Sequence, residues 1–130
     1  MQPLSPTPCI RDFAAARALF AQLAEARTET AGFAYLGRDG RLLGMRHVSN
    51  ECADAVDLPL RKIVADALAF DAAAMLMAHN HPSGDPRPSR GDRLATRRLV
   101  QALSPVQVRL IDHLILARGG AVSFRALGWL

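Results

Sequence analysis

Two hydrophobic periods alternate along the chain. Phe13, Ala16, Leu19, Phe20 and Leu23 recur at three- and four-residue intervals, which predicts an amphipathic, alanine-rich helix over residues 10 to 27. From Gly32 the pattern changes. Phe33-Ala-Tyr-Leu36 and Leu42-Leu-Gly-Met45 flank Arg38-Asp39-Gly40-Arg41, and the Asp-Gly pair supplies the positive φ that a tight hairpin turn needs. Residues 46 to 57 show no clear period and read as a strand end and a loop. Pro59 suits the first turn of a second helix, where its missing N–H costs nothing; Leu60, Ile63, Val64, Ala67 and Leu68 give that helix a core face ending near Phe70.

Ala72 to Ala78 is apolar throughout and is followed by the breaker cluster Pro82-Ser-Gly-Asp-Pro-Arg-Pro88, as expected of a short strand buried on both faces. Ser89 caps a third helix running to about Leu103. Val106 to Ala117 reads as a second apolar strand, Gly119-Gly120 as a turn and Ala121 to Phe124 as a short last strand. Helix, hairpin, helix, strand, helix, strands predicts an α/β or α+β layer fold with a mixed sheet.

Composition narrows this to one domain. The 130 residues are half apolar and 22% charged, a globular balance that excludes a disordered chain. The longest apolar run, Ala72 to Ala78, is far short of the roughly 20 residues a bilayer span needs. Residues 1–9 hold three prolines and no apolar segment, so they read as a flexible N-terminal stretch rather than a secretory signal, and a cytoplasmic protein is expected. Cys9 and Cys52 form no C-x-x-C pair. The net charge of +4 rests on arginine, with one cluster at Arg87, Arg90, Arg93, Arg97 and Arg98. A surplus this small argues only weakly for nucleic acid, and an arginine bias also follows from genome composition.

The chemistry concentrates in His79-Asn80-His81-Pro82, Ser89 and Asp92. In an extended chain, residues two apart point to the same side, so His79 and His81 can converge on one metal ion where a buried strand runs out. Asp92, in the first turn of the next helix, would be a third ligand at that helix's positive end. Two imidazoles and one carboxylate leave a tetrahedral zinc one open position, the arrangement of a catalytic site. Among the three glutamates, Glu25, Glu29 and Glu51, Glu29 stands between the first helix and the first strand, where an adjacent strand could bring it beside His79 as a base. Simpler readings exist for each part. A His-x-His is common by chance, and Ser-x-x-Asp before an apolar helix is a capping box that needs no metal.

The whole string is far rarer than its parts. Ala78-His-Asn-His-Pro-Ser-Gly-Asp-Pro-Arg-Pro-Ser-Arg-Gly-Asp92 closely resembles the signature of the RadC-like branch of the JAB/MPN superfamily, whose metal motif is called JAMM. His79, His81, Pro82, Ser89 and Asp92 meet that pattern. Glu29-Thr-Ala-Gly-Phe-Ala-Tyr-Leu36 resembles the family's glutamate-led first strand, and Asp112-His-Leu with Val122-Ser-Phe124 its C-terminal strands, so the likeness covers roughly residues 25 to 130. It implies a cytidine-deaminase-like α/β/α sandwich. It further implies one zinc ion per chain on His79, His81 and Asp92, Glu29 as general acid and base, and Ser89 orienting the water or the oxyanion. The activity it implies is metallopeptidase-like cleavage of a peptide or isopeptide bond. A nucleotide deaminase is disfavoured, since no His-x-Glu with Pro-Cys-x-x-Cys is present.

Two departures bear on substrate. Long RadC proteins resemble this chain only in their second half, so a DNA role tied to their upstream helix-hairpin-helix part does not carry over. Met45-Arg-His-Val-Ser-Asn-Glu-Cys52 also differs from the expected Glu-Glu-Leu-Phe-Arg-Gly-Thr type of stretch. The rival reading is a nucleic-acid-associated module without turnover, contacting phosphates weakly and nonspecifically through Arg90, Arg93 and Arg97 on one helix face. Against it, no aromatic residue interleaves that run. Asp112 and His113 are neighbours on a strand, so only one can face the site; His113 is then either a partner of a ligating histidine or a core residue with its own hydrogen bonds. His47 reads as a surface residue.

Overall fold

A computed structural model describes residues 8–49 and 58–130. Asp12 opens the first helix, α1 (Phe13–Leu19), by accepting a hydrogen bond from the Ala15 N–H at 2.8 Å. This helix is shorter than its period predicts. At Phe20 the backbone leaves the α conformation, and the chain tightens into a 3-10 turn over Ala21–Glu25. No Gly or Pro marks the break. Phe20 and Leu23 stay buried against the sheet, whereas Phe13, expected in the core, is exposed. Tertiary packing here overrides the local period.

Strands β1 (Thr30–Leu36) and β2 (Leu42–Ser49) form the predicted hairpin, with Gly40 at φ 82° in its turn. Pro8 to Ile10 run along that turn, through Ile10 N–H to Gly40 O and Leu42 N–H to Pro8 O, both 2.9 Å. Of the segment 1–9 expected to be flexible, Pro8 and Cys9 thus lie against the hairpin turn; residues 1–7 lie outside the described residues, as do Glu51 and Cys52. Helix α2 (Leu60–Ala69) follows Pro59, which is its N-cap rather than part of its first turn. Ile63 and Ala67 are buried, but Leu68 is 59% exposed because it falls at the outer edge of the apolar stripe.

Strand β3 (Ala74–Asn80) is buried at every position. Helix α3 (Arg90–Leu103), strand β4 (Arg109–Ala117) and strand β5 (Gly120–Ser123) complete the order. β4 begins three residues later than its apolar run, because Pro105 lies in a 3-10 turn over Ser104–Val106 and Gln107 takes a left-handed φ of 59°. Among the described residues no helix is long and apolar enough to cross a membrane.

The five strands form one mixed sheet in the order β2-β1-β3-β4-β5. β1 is antiparallel to both β2 and β3, β3 and β4 are parallel, and β5 is antiparallel to β4. A parallel pair needs a crossover, which α3 supplies. Ala74, Leu76 and Ala78 pack with Ala16, Phe20 and Leu23 on one face; Met75 and Met77 pack with Ile63, Ala67, Leu99 and Leu103 on the other. Helices cover both faces, the expected α/β/α sandwich. Full burial of Leu99 and Leu103 contributes about 1.5–3 kcal/mol each, which fixes α3, and with it Asp92, against the sheet.

β4 carries one extra residue opposite β3. Met75 pairs with Leu110 and Leu76 with Asp112, leaving Ile111 as a bulge. The bulge reverses side-chain phase. Leu110 faces α2 and α3, whereas Leu114 and Leu116 face α1, so His113 is turned toward α3.

Candidate metal centre

The C-terminal end of β3 brings the site together. His79 Nε2 lies 3.0 Å from His81 Nε2, and the Asp92 carboxylate spans the pair, with Oδ1 3.1 Å from His79 Nε2 and Oδ2 3.1 Å from His81 Nε2. Glu29 joins them: one ligand atom from each of the four residues lies within 4.8 Å of all the others. His79 and Asp92 are buried, while Glu29 and His81 are partly exposed on the side open to solvent. In tetrahedral zinc sites with bonds of about 2.0–2.1 Å, neighbouring ligand atoms are roughly 3.3 Å apart. The spacing and the donor set both fit such an ion.

Local sequence builds most of this. The backbone of His81 donates to Leu116 O at 2.9 Å, and its Nδ1–H donates to the Asp85 carbonyl at 2.9 Å. Gly84, at φ 92°, turns the loop, and its carbonyl accepts from Gly119 N–H at 3.1 Å, which ties the loop to the β4–β5 turn. A Cβ on Gly119 would come 2.5 Å from that carbonyl oxygen, so only glycine permits the approach. Ser89 and Asp92 form the capping box: Ser89 Oγ accepts from Asp92 N–H at 3.0 Å and Asp92 Oδ2 from Ser89 N–H at 2.8 Å. The capping and metal readings of this pair are therefore compatible.

Charge is tuned around the cluster. Burial alone would raise the Asp92 carboxyl, but hydrogen bonds from His79 and His81 outweigh it and hold the group well below the usual carboxylate range. His81 is pushed up, chiefly by its hydrogen bond to Asp92, against a desolvation that would lower it. Burial pushes the fully enclosed His113 far down, so that ring is neutral.

A model of the RadC-like JAB domain matches residues 10–129. The chain belongs to that family. It is 42% identical over 96 residues to a UPF0758 protein of Vibrio cholerae, covering 74% of this chain and 60% of that protein. UPF0758 proteins of Xanthomonas axonopodis pv. citri and Xanthomonas euvesicatoria pv. vesicatoria are each 38% identical over 112 residues, 85% of this chain and 50% of theirs. The chain thus spans half to three-fifths of the length of these relatives.

The four carboxylate and imidazole residues singled out in the sequence meet in this RadC-like JAB domain. Ser89 sits beside them, exposed, with its oxygen accepting from the Asp92 N–H at 3.0 Å. Glu29 arrives by an antiparallel pairing: Ala31 of β1 pairs with His79, which sets Glu29 level with His81. Of the adjacent pair on β4, His113 faces the site, its Nε2 2.6 Å from His79 Nδ1. Asp112 faces away, accepting from His113 N–H, Ser123 Oγ–H and Arg125 N–H. His47 is exposed, as expected.

Sequence reasoning missed two residues. Asn80, between the two histidines, turns to the α1 face, where it accepts from Thr30 N–H at 2.6 Å and donates to the Ala26 and Thr28 carbonyls at 3.0 Å. A fully buried amide in an apolar strand was the available clue. Thr96 lies one helical turn beyond Asp92 and reaches His113 Nδ1 at 2.5 Å. Of the arginine cluster, Arg87 pairs with Asp85, Arg93 stacks on Trp129 at 4.1 Å, and Arg90 and Arg97 are exposed along α3.

Proposed function

We propose that this RadC-like JAB domain is a zinc-dependent hydrolase of the JAMM type that cleaves an amide bond, peptide or isopeptide, by attack of water. The observation that carries the reading is the convergence of Glu29, His79, His81 and Asp92 within 4.8 Å at an open strand end. His79, His81 and Asp92 would hold the metal, which when bound polarises a carbonyl and lowers the pKa of water to about 7. Glu29, outside that ligand set, takes the proton of the attacking water and delivers it to the leaving amine. Ser89, whose oxygen already accepts from Asp92 N–H, keeps a hydroxyl proton to donate to the developing oxyanion. Burial of His79 and Asp92 keeps the ligand arms rigid, while the exposed flank at Glu29 and His81 admits substrate.

Metal analysis and a cleavage screen test the reading together. Purified protein is expected to carry close to one zinc per chain, the His79→Ala/His81→Ala variant almost none, and the zinc-loaded protein to cut members of a peptide and isopeptide library. Full zinc retention by the double variant would overturn the ligand assignment. A metal-loaded protein that cuts no amide substrate would overturn the hydrolase.

A further inference from the structure

We propose that Thr96 and His113 are positioning residues that hold the His79 ring in the one tautomer able to ligate a metal. The proposal rests on the metal reading above and concerns a hydrogen-bond chain outside the ligand set. His81 needs no such device. Its Nδ1 faces the Asp85 carbonyl at 2.9 Å, an oxygen that can only accept, so the neutral ring keeps its proton on Nδ1 and leaves Nε2 bare. His79 Nδ1 instead faces Nε2 of His113 at 2.6 Å, and a proton between two imidazole nitrogens can belong to either ring. Were His113 the donor, a neutral His79 would carry its own proton on Nε2 and be unable to bind.

The direction is decided one residue further on. Thr96 has a single hydroxyl proton, and its Oγ1 lies 2.8 Å from the Asp92 carbonyl oxygen and 2.5 Å from His113 Nδ1. A carbonyl cannot donate, so the hydroxyl gives its proton to Asp92 O, one helical turn back, and meets His113 as an acceptor. His113 then carries its proton on Nδ1 and its bare Nε2 accepts from His79 Nδ1–H, so that the neutral His79 ring has its Nε2 lone pair pointing into the ligand cluster. Thr96 is 4% exposed and His113 fully buried, so solvent cannot replace either partner. Phe124, stacked on the His113 ring at 4.5 Å, and Asp112, accepting from His113 N–H at 2.8 Å, keep that ring in place. The bulge at Ile111 sets the phase that turns it inward.

Two variants test this. Thr96→Val preserves the shape of the side chain and removes its oxygen, whereas Thr96→Ser keeps the oxygen. Zinc affinity is read by competition with a chromophoric chelator, and ring protonation by the ¹⁵N shifts of labelled histidines, with and without zinc. We expect Nδ1-protonated His113 in the parent and in Thr96→Ser, with zinc affinities within about threefold of each other. Thr96→Val should shift His113 toward the Nε2–H form and weaken zinc binding by about 10–100-fold. Parent-like affinity and tautomer in Thr96→Val, or a Thr96→Ser as weak as Thr96→Val, would overturn the proposal. Should Thr96→Val fail to fold, the parent and Thr96→Ser spectra still decide it. Absence of zinc binding by the parent would instead sink the metal reading, while the His113 tautomer in the metal-free protein is read independently: Nδ1–H supports the relay, Nε2–H overturns it.

Discussion

Asn80 and Thr30 are joined by a hydrogen bond of 2.6 Å from the Thr30 N–H to the Asn80 side-chain oxygen, fifty residues apart in the chain. The same amide donates to the carbonyls of Ala26 and Thr28. The segment that carries Glu29 is thereby pinned to the strand that carries His79 and His81. One buried side chain thus ties the segment around Glu29 to the two histidines.

Asn80→Ala should therefore uncouple activity from metal binding. It leaves the Thr30 N–H without its partner and should cost about 1–3 kcal/mol in a urea melt. Zinc content should stay near the parent value while kcat falls, because Glu29 loses its anchor. Parent-like kcat with a lowered midpoint would show that the pin is only structural.

Glu29→Gln keeps the side chain's size but cannot take up a proton. Turnover of a validated substrate should drop roughly 10²–10⁴-fold, the usual worth of general acid–base catalysis, with zinc content and folding retained. An undiminished rate would mean that Glu29 is not the base.

Zinc affinity should depend on pH through His81. Its pKa is raised by the hydrogen bond to Asp92, so the metal-free ring stays protonated above the ordinary value of 6.5. A ligating imidazole must be neutral, and zinc must displace that proton. Affinity should climb by up to about tenfold per pH unit through pH 6.5 and level off only above the raised pKa. Asp92, held low, is ionised throughout this window and does not contribute to the slope. Chelator competition between pH 6 and 8 checks this, and a flat profile would contradict it.

The exposed face of α3 gives the nucleic-acid reading its test. Arg90 and Arg97 point to solvent and Arg93 lies over Trp129. We expect at most weak, nonspecific binding to DNA. Charge reversal of the three arginines should flatten the log K against log salt slope by about 0.9 for each duplex phosphate no longer neutralised. Unchanged affinity after reversal would remove this face as a phosphate surface.

What the sequence determined by itself is the local half of the site. His79 and His81 share a side because a strand has period two, and Ser89 and Asp92 meet because a capping box closes within one helical turn. The buried strand, the third helix and the hairpin were legible for the same reason, since their patterns are short and periodic. The tertiary structure decided the rest. The antiparallel register of β1 on β3 sets Glu29 level with His81, and no residue near Glu29 encodes that pairing. The choice between Asp112 and His113 was a single bit that alternation alone could not settle, because the bulge at Ile111 shifts the phase between Leu110 and Leu114. The break at Phe20 and the exposure of Phe13 and Leu68 have the same origin. Local period states which residues share a face, but only packing against the sheet decides how much of that face is covered and which distant residue meets it.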